Sequence, residues 1–162
     1  MTRREFEITD PEEILSILKT CKYLHLGLVD EGMPYVLPMN YGFIMDEGKL
    51  TIYLHGAAKG YKLDVIEKSP ACCFEMECEV APFEGRVACQ YGMADKSLIR
   101  RGEAHIVSDV EEKIKALTLL MKNQTGKDFE FNEKLVSIVS VIRLDITEYS
   151  AKKRNPPANP TA

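Results

Sequence analysis

Apolar and polar positions change period several times along the chain. Around residues 10–18 the spacing is helical: Asp10 can cap, Pro11 suits the first turn, Glu13 completes a capping box, and Ile14, Leu15, Ile17 and Leu18 form one face. The period then drops to two. In "YLHLGLVD", Leu24, Leu26 and Leu28 alternate with His25 and Gly27, and Glu31-Gly32 turns the chain into "PYVLPMNYGFIM". A second turn at Asp46-Glu47-Gly48 leads to the strand "KLTIYLH". These runs read as an antiparallel meander.

A short helix is expected from Lys59 to Lys68, stopped by Ser69-Pro70. Two further strands, "ACCFEMECEV" and "SLIRRGEAHIVS", flank a segment from Ala81 to Lys96 with no clear pattern, read as turn and loop. Ser108 and Glu111 open a second strong helix with Val110, Ile114, Leu117 and Met121 on its apolar face. The final strand is "SVIRLDITEYS", where Ile142, Leu144 and Ile146 alternate with polar residues. About six strands without regular helical crossovers predict a mainly β protein, an antiparallel sheet or barrel with flanking helices. The expected organisation is one domain over residues 1–152 and a mobile tail over 153–162, where "NPPANPTA" has nothing to bury.

Composition narrows the partners. With 162 residues, 45% of them apolar, the chain can bury a real core, and a net charge of −4 with scattered lysines argues against nucleic acid. No apolar run reaches the roughly 20 residues that span a bilayer, and the charged start "MTRREFEITD" lacks a signal-peptide core, so a cytoplasmic protein without a membrane partner is expected. The five cysteines are odd in number and contain no CxxC pair, which fits reduced thiols. No metal site is expected, because along a strand Cys72 and Cys78 stand roughly 20 Å apart and Cys73 faces the other way.

Chemistry concentrates in two stretches. In "YLHGAAKGYK", Gly56, Ala57, Ala58 and Gly60 leave backbone N–H groups unshielded, while Lys59 and Lys62 add positive charge at a helix start. That combination suits an anion. Gly56 and Gly60 are one residue too close for an ATP-binding P-loop, and no Ser or Thr follows Lys62. A tight turn carrying solvated lysines is the plain alternative. In "PYVLPMNYGF", Pro38 cannot donate to a sheet ladder, which predicts an edge or a bend where Asn40 and Tyr41 present polar atoms to a flat heterocycle. An ordinary bulge with a surface asparagine would read the same way.

Together, P-x-N-Y and the following H-G-A-x-x-G-x-K resemble the flavin split-barrel proteins, specifically the nitroimidazole-resistance branch related to pyridoxamine 5'-phosphate oxidase. The resemblance runs from about Ile14 to Lys152. It implies a homodimer of six-stranded antiparallel split β-barrels with FMN in clefts between subunits. By the same resemblance Leu37, Pro38, Met39, Asn40 and Tyr41 lie along the flavin ring. His55, Gly56, Ala57, Lys59 and Lys62 hold the ribityl phosphate end. Ser97 and Ile99, in "KSLIRRG", reach toward the partner's flavin. "CQYGMADKSL" departs from the Tyr/Arg-rich wording expected just before that strand. His55 is the candidate catalytic residue, since an imidazole can exchange protons near neutral pH. The function implied is an FMN-dependent oxidoreductase that passes electrons to a small organic acceptor such as a nitroaromatic compound. Amine oxidation of the pyridoxamine-phosphate-oxidase kind, and a non-catalytic flavin- or haem-binding module, are the alternatives.

Overall fold

The computed structural model describes residues 4–46 and 48–156, with the side chains of 147–149 set aside. In chain order the elements are β1 (Glu7–Ile8), α1 (Pro11–Thr20), β2 (Leu24–Asp30), β3 (Met33–Met39), β4 (Tyr41–Asp46), β5 (Lys49–Ala57) and α2 (Tyr61–Lys68). They continue with β6 (Ala71–Phe83), β7 (Gly92–Val107), α3 (Val110–Thr125), α4 (Glu133–Ser137) and β8 (Val139–Arg154). All strand pairs are antiparallel.

The strand order β3-β2-β6-β7-β8-β5-β4 carries the architecture. Its two outermost strands, β3 and β4, are consecutive in the chain and joined through Asn40 alone. The sheet must therefore roll until its ends meet, although no ladder joins β3 to β4 among the described residues. This is a barrel with one open seam, and Pro34 and Pro38 sit on its edge strand, where a missing N–H costs no ladder bond. The mainly β, antiparallel class holds. Eight strands replace the expected six because "PYVLPMNYGFIM" breaks at Asn40 and because β1 adds two residues to β8.

Alternation puts Leu24, Leu26 and Leu28 of β2, Leu50, Ile52 and Leu54 of β5, and Ile142 and Leu144 of β8 into one core. Helices α1 and α2 plug it with Ile14, Ile17, Leu18, Leu63, Val65 and Ile66. A second, smaller cluster lies on the other face of β5 and β8, where Tyr53, Val107 and Val141 meet Ala116 and Leu117 of α3 and Val136 of α4. Helix α3 approaches β4 so closely that a β carbon on Gly42 would stand 2.4 Å from the Leu120 amide nitrogen. Only glycine fits there.

Several local expectations shift. Half of Ala81 to Lys96 is strand, not loop: β6 runs to Phe83 and β7 starts at Gly92, with a register break between Cys78 and Ala81 that hid the alternation. Helix α2 begins at Tyr61 rather than Lys59, because Gly60 at φ 150° cannot be helical. The cap of α3 is Asp109, accepting from the Glu112 amide, one residue later than the expected Ser108. Asp10 caps α1 as expected, but Glu13 accepts from Lys153 Nζ at 2.7 Å. Strand β8 accordingly continues through the Lys152-Lys153-Arg154 run, and residues 157–162 of the expected tail lie outside the described residues. No helix among the described residues is long and apolar enough to cross a membrane.

Candidate functional site

Paired rungs of β5 and β8 end at the small-residue loop. On the core side the rungs run Ile52 opposite Leu144, Leu54 opposite Ile142, then Gly56 opposite Ser140. On the other side Tyr53 faces Arg143 and His55 faces Val141. Ala57, Ala58, Lys59 and Gly60 then stand exposed before α2. Gly60 offers no side-chain cap, and its carbonyl accepts from the Leu63 amide at 2.8 Å, so the N–H groups of the first helical residues lack intrahelical partners.

Lys62 turns back from α2 over β5. A β carbon on Gly56 would lie 2.7 Å from both its Cε and its Nζ, so the missing side chain of Gly56 is what admits the ammonium. Lys62 is half-buried and has no carboxylate or hydrogen-bond partner among the described residues. Next to it, the buried Nδ1 of His55 has no hydrogen-bond partner either. Burial first, and the Lys62 charge second, hold the His55 imidazole below its ordinary pKa, so it is neutral at pH 7. Lys62 and His55 thus each leave a polar group without a partner among the described residues, and each could meet an acceptor from outside the chain.

The P-x-N-Y stretch meets this site through the seam. Tyr41 pairs with Leu54, so one further step of the same register sets Asn40 opposite His55. Asn40 and Pro38 are exposed, whereas Met39 lies in the core and Leu37 packs against it. Tyr41 is fully buried: its hydroxyl donates to the Leu18 carbonyl at 2.8 Å with the Cys21 carbonyl at 3.1 Å, closing the end of α1. Its own carbonyl accepts from Asn123 Nδ2 and Gln124 Nε2 of α3. The expected presentation of Tyr41's polar atoms to a ligand gives way to a structural role, because both are bonded internally.

Ser97 and Ile99 are not brought to this place within one chain. Val107 of β7 pairs with Val141, which pairs with His55, so Ser97 and Ile99 lie roughly 25–33 Å farther along β7 at about 3.3 Å per residue. Ile99 belongs instead to the outward face of β3, β2, β6 and β7, which no helix covers among the described residues. Val29, Pro34, Val36, Ala71 and Cys73 on that face line an apolar recess of about 320 Å³, and Val36 is 62% exposed.

One residue outside the motifs holds helix α2 in place. Asp30, at the end of β2, accepts from the Tyr61 hydroxyl at 2.6 Å and from Lys68 Nζ at 3.1 Å, gripping both ends of α2. These hydrogen bonds lower the Asp30 pKa. Tyr61 also packs edge-on against Tyr35 of β3, with ring centroids 5.0 Å apart. Nothing in the local sequence announces this clasp, since its members are 31 and 38 residues apart.

The sequence profile of the family described as pyridoxamine 5'-phosphate oxidase matches residues 10–153. No curated protein gives a significant sequence match. Among solved structures, a candidate 5-nitroimidazole antibiotic resistance protein from Bacteroides thetaiotaomicron is 29% identical over 91% of this chain and 86% of its own, with a TM-score of 0.78. The flavocytochrome Anf3 from Azotobacter vinelandii is 22% identical, covering 97% of this chain and 73% of its own, at a TM-score of 0.79. A FAD and heme binding protein from Mycobacterium smegmatis is 17% identical over 92% and 73%, also at 0.79. The last two share the fold.

Proposed function

From the premise that this chain belongs to the pyridoxamine 5'-phosphate oxidase family, we propose that it binds FMN and works as an oxidoreductase on a small organic acceptor. The observation that carries the reading is the unpaired Lys62 ammonium above Gly56, beside the orphaned Nδ1 of His55. A phosphate monoester answers both the charge and the missing acceptor. Gly56 and Ala57 keep the approach free of side chains, Lys62 supplies the charge, and Lys59 adds to the attraction from the loop rim. The seam next to Asn40 supplies the other half of the fit. Pro38 and Asn40 are exposed where the edge strand ends, and Leu37, Met39 and Tyr41 contribute shape there through the main chain rather than through polar side-chain atoms.

Bound flavin would supply the electron transfer, and the chain supplies position, exclusion of water and proton exchange. His55 is suited to the last task, because an imidazole whose Nδ1 donates to the phosphate can still take up and release a proton at its other ring nitrogen, Nε2. The similarity to the Bacteroides protein favours a nitroaromatic acceptor over an amine substrate. A homodimer belongs to the same proposal. The uncovered apolar face and the distance of Ser97 and Ile99 from their own His55 are both accounted for if a partner copy brings those residues to the cleft. The five free cysteines are in keeping with a reducing cytoplasm.

The test is a comparison of FMN with riboflavin, which differ only in the phosphate. Wild-type protein should prefer FMN. Lys62→Ala should weaken FMN by about ten- to a hundredfold, the worth of one hydrogen bond to a charged group, and leave riboflavin unchanged. Equal weakening of both ligands would make Lys62 a support of the fold and remove the phosphate from this loop. Turnover of a nitroaromatic by the flavin-loaded protein with a reduced nicotinamide then separates an enzyme from a binding module.

A further inference from the structure

We infer that Ser140, at the start of β8, is a second anchor for the phosphate and sets the preference for a phosphorylated flavin; this rests on the FMN reading above. Down the core side of β5 and β8 the rungs are apolar on both strands, Ile52 with Leu144 and Leu54 with Ile142, and all four side chains are fully buried. At the next rung both strands change character together. Gly56 has no side chain, and Ser140 opposite it is half-buried with a hydroxyl that has no hydrogen-bond partner among the described residues. An apolar residue at either position would simply extend the core. The pair instead leaves a recess with one polar wall.

Lys62 enters that recess from the third side. Its Nζ lies 2.7 Å from where a Gly56 β carbon would stand. Directly opposite residues in an antiparallel pair have β carbons about 4.5–5.5 Å apart, so the Ser140 β carbon and the Lys62 ammonium are separated by at most roughly 8 Å. Two hydrogen bonds of about 2.8 Å to different oxygens of one phosphate cover such a span. Lysine is a compact charge that attracts any anion, whereas a fixed hydroxyl on a paired strand adds direction. Ser140 therefore acts as a binding residue that orients the phosphate, while Lys62 attracts it.

The experiment measures FMN and riboflavin affinity by flavin fluorescence for wild type, Ser140→Ala, Ser140→Thr and Lys62→Ala, with thermal unfolding of each apo protein. Ser140→Ala should weaken FMN on the order of tenfold, leave riboflavin and the melting temperature unchanged, and be restored by Ser140→Thr, which keeps the hydroxyl. If Ser140→Ala binds FMN like wild type while Lys62→Ala does not, the serine has no role and the site reading stands. If neither variant changes the preference for FMN over riboflavin, the phosphate lies elsewhere and both readings fall. Equal weakening of both flavins by Ser140→Ala would mark a structural residue and overturn the inference.

Discussion

Replacing Gly56 by alanine separates binding from folding at one atom. The added β carbon would lie 2.7 Å from Lys62 Cε and Nζ, and Gly56 is not among the residues with positive φ, so its backbone accepts alanine. Carbon contacts settle near 3.5–4.0 Å, and the ammonium must therefore retreat by about 1 Å. A shift of that size takes a 2.8 Å hydrogen bond beyond its working range, which costs roughly 1.5–3 kcal/mol for a charged pair. FMN affinity should fall by about ten- to a hundredfold. The fold should not suffer, since the obstructed atoms are the free end of a flexible side chain. Removing a glycine also restricts the unfolded chain, worth about 0.4–1 kcal/mol, and the melting temperature of apo protein should rise by about 1–4 °C. Calorimetric titration with FMN and riboflavin, with thermal unfolding of the same samples, reads both effects. Unchanged FMN affinity in a stable Gly56→Ala protein would refute the placement of the phosphate beneath Lys62.

Three other outcomes follow from separate parts of the molecule. Tyr41→Phe strips the hydroxyl from the buried Leu18 and Cys21 carbonyls, which should cost about 1–3 kcal/mol and lower the melting temperature by roughly 2–12 °C, with riboflavin and FMN weakened alike if at all. His55 has a lowered folded pKa, so the unfolded state binds the extra proton: its contribution to apo stability is fully present above about pH 6.5 and is lost as pH falls through the folded value. Subtracting the melting profile of His55→Gln from that of wild type between pH 8 and pH 5, on the order of three pH units, should isolate this acid limb, and FMN should make it shallower by opposing the Lys62 field. A flat difference would remove the buried, neutral His55. Val36→Glu places a charge on the uncovered sheet face, where Val36 is 62% exposed, and should leave the monomer's melting intact while sedimentation shows the dimer lost. A dimer that survives the substitution must assemble through another surface.

Periodicity made the strands, α1 and α3 legible, because alternation and helical spacing are properties of neighbouring residues. The same holds for the expected anion-binding character of Gly56 to Lys62, where small residues and positive charge lie within one loop. What the sequence could not reveal depends on residues far apart in the chain. The bulge after Cys78 reversed the alternation and disguised the end of β6 and the start of β7 as loop, although the ladder between these strands is one of the longest in the sheet. Asn40 reads as a polar residue at an edge or bend until the order of the sheet makes it the hinge between its two ends. Tyr41, two residues beyond the seam's last core methionine, reads as a ligand contact; only the position of α1 decides that its hydroxyl is used inside. Ser140 carries no local signal, and it gains meaning from lying 84 residues after Gly56 on a paired strand. Local spacing fixes which face of an element is apolar, while register and packing decide which polar atoms are satisfied by the chain. Left without partners among the described residues are Lys62 and Ser140 at the Gly56 rung, and Nδ1 of His55 one position before it on the other side of β5.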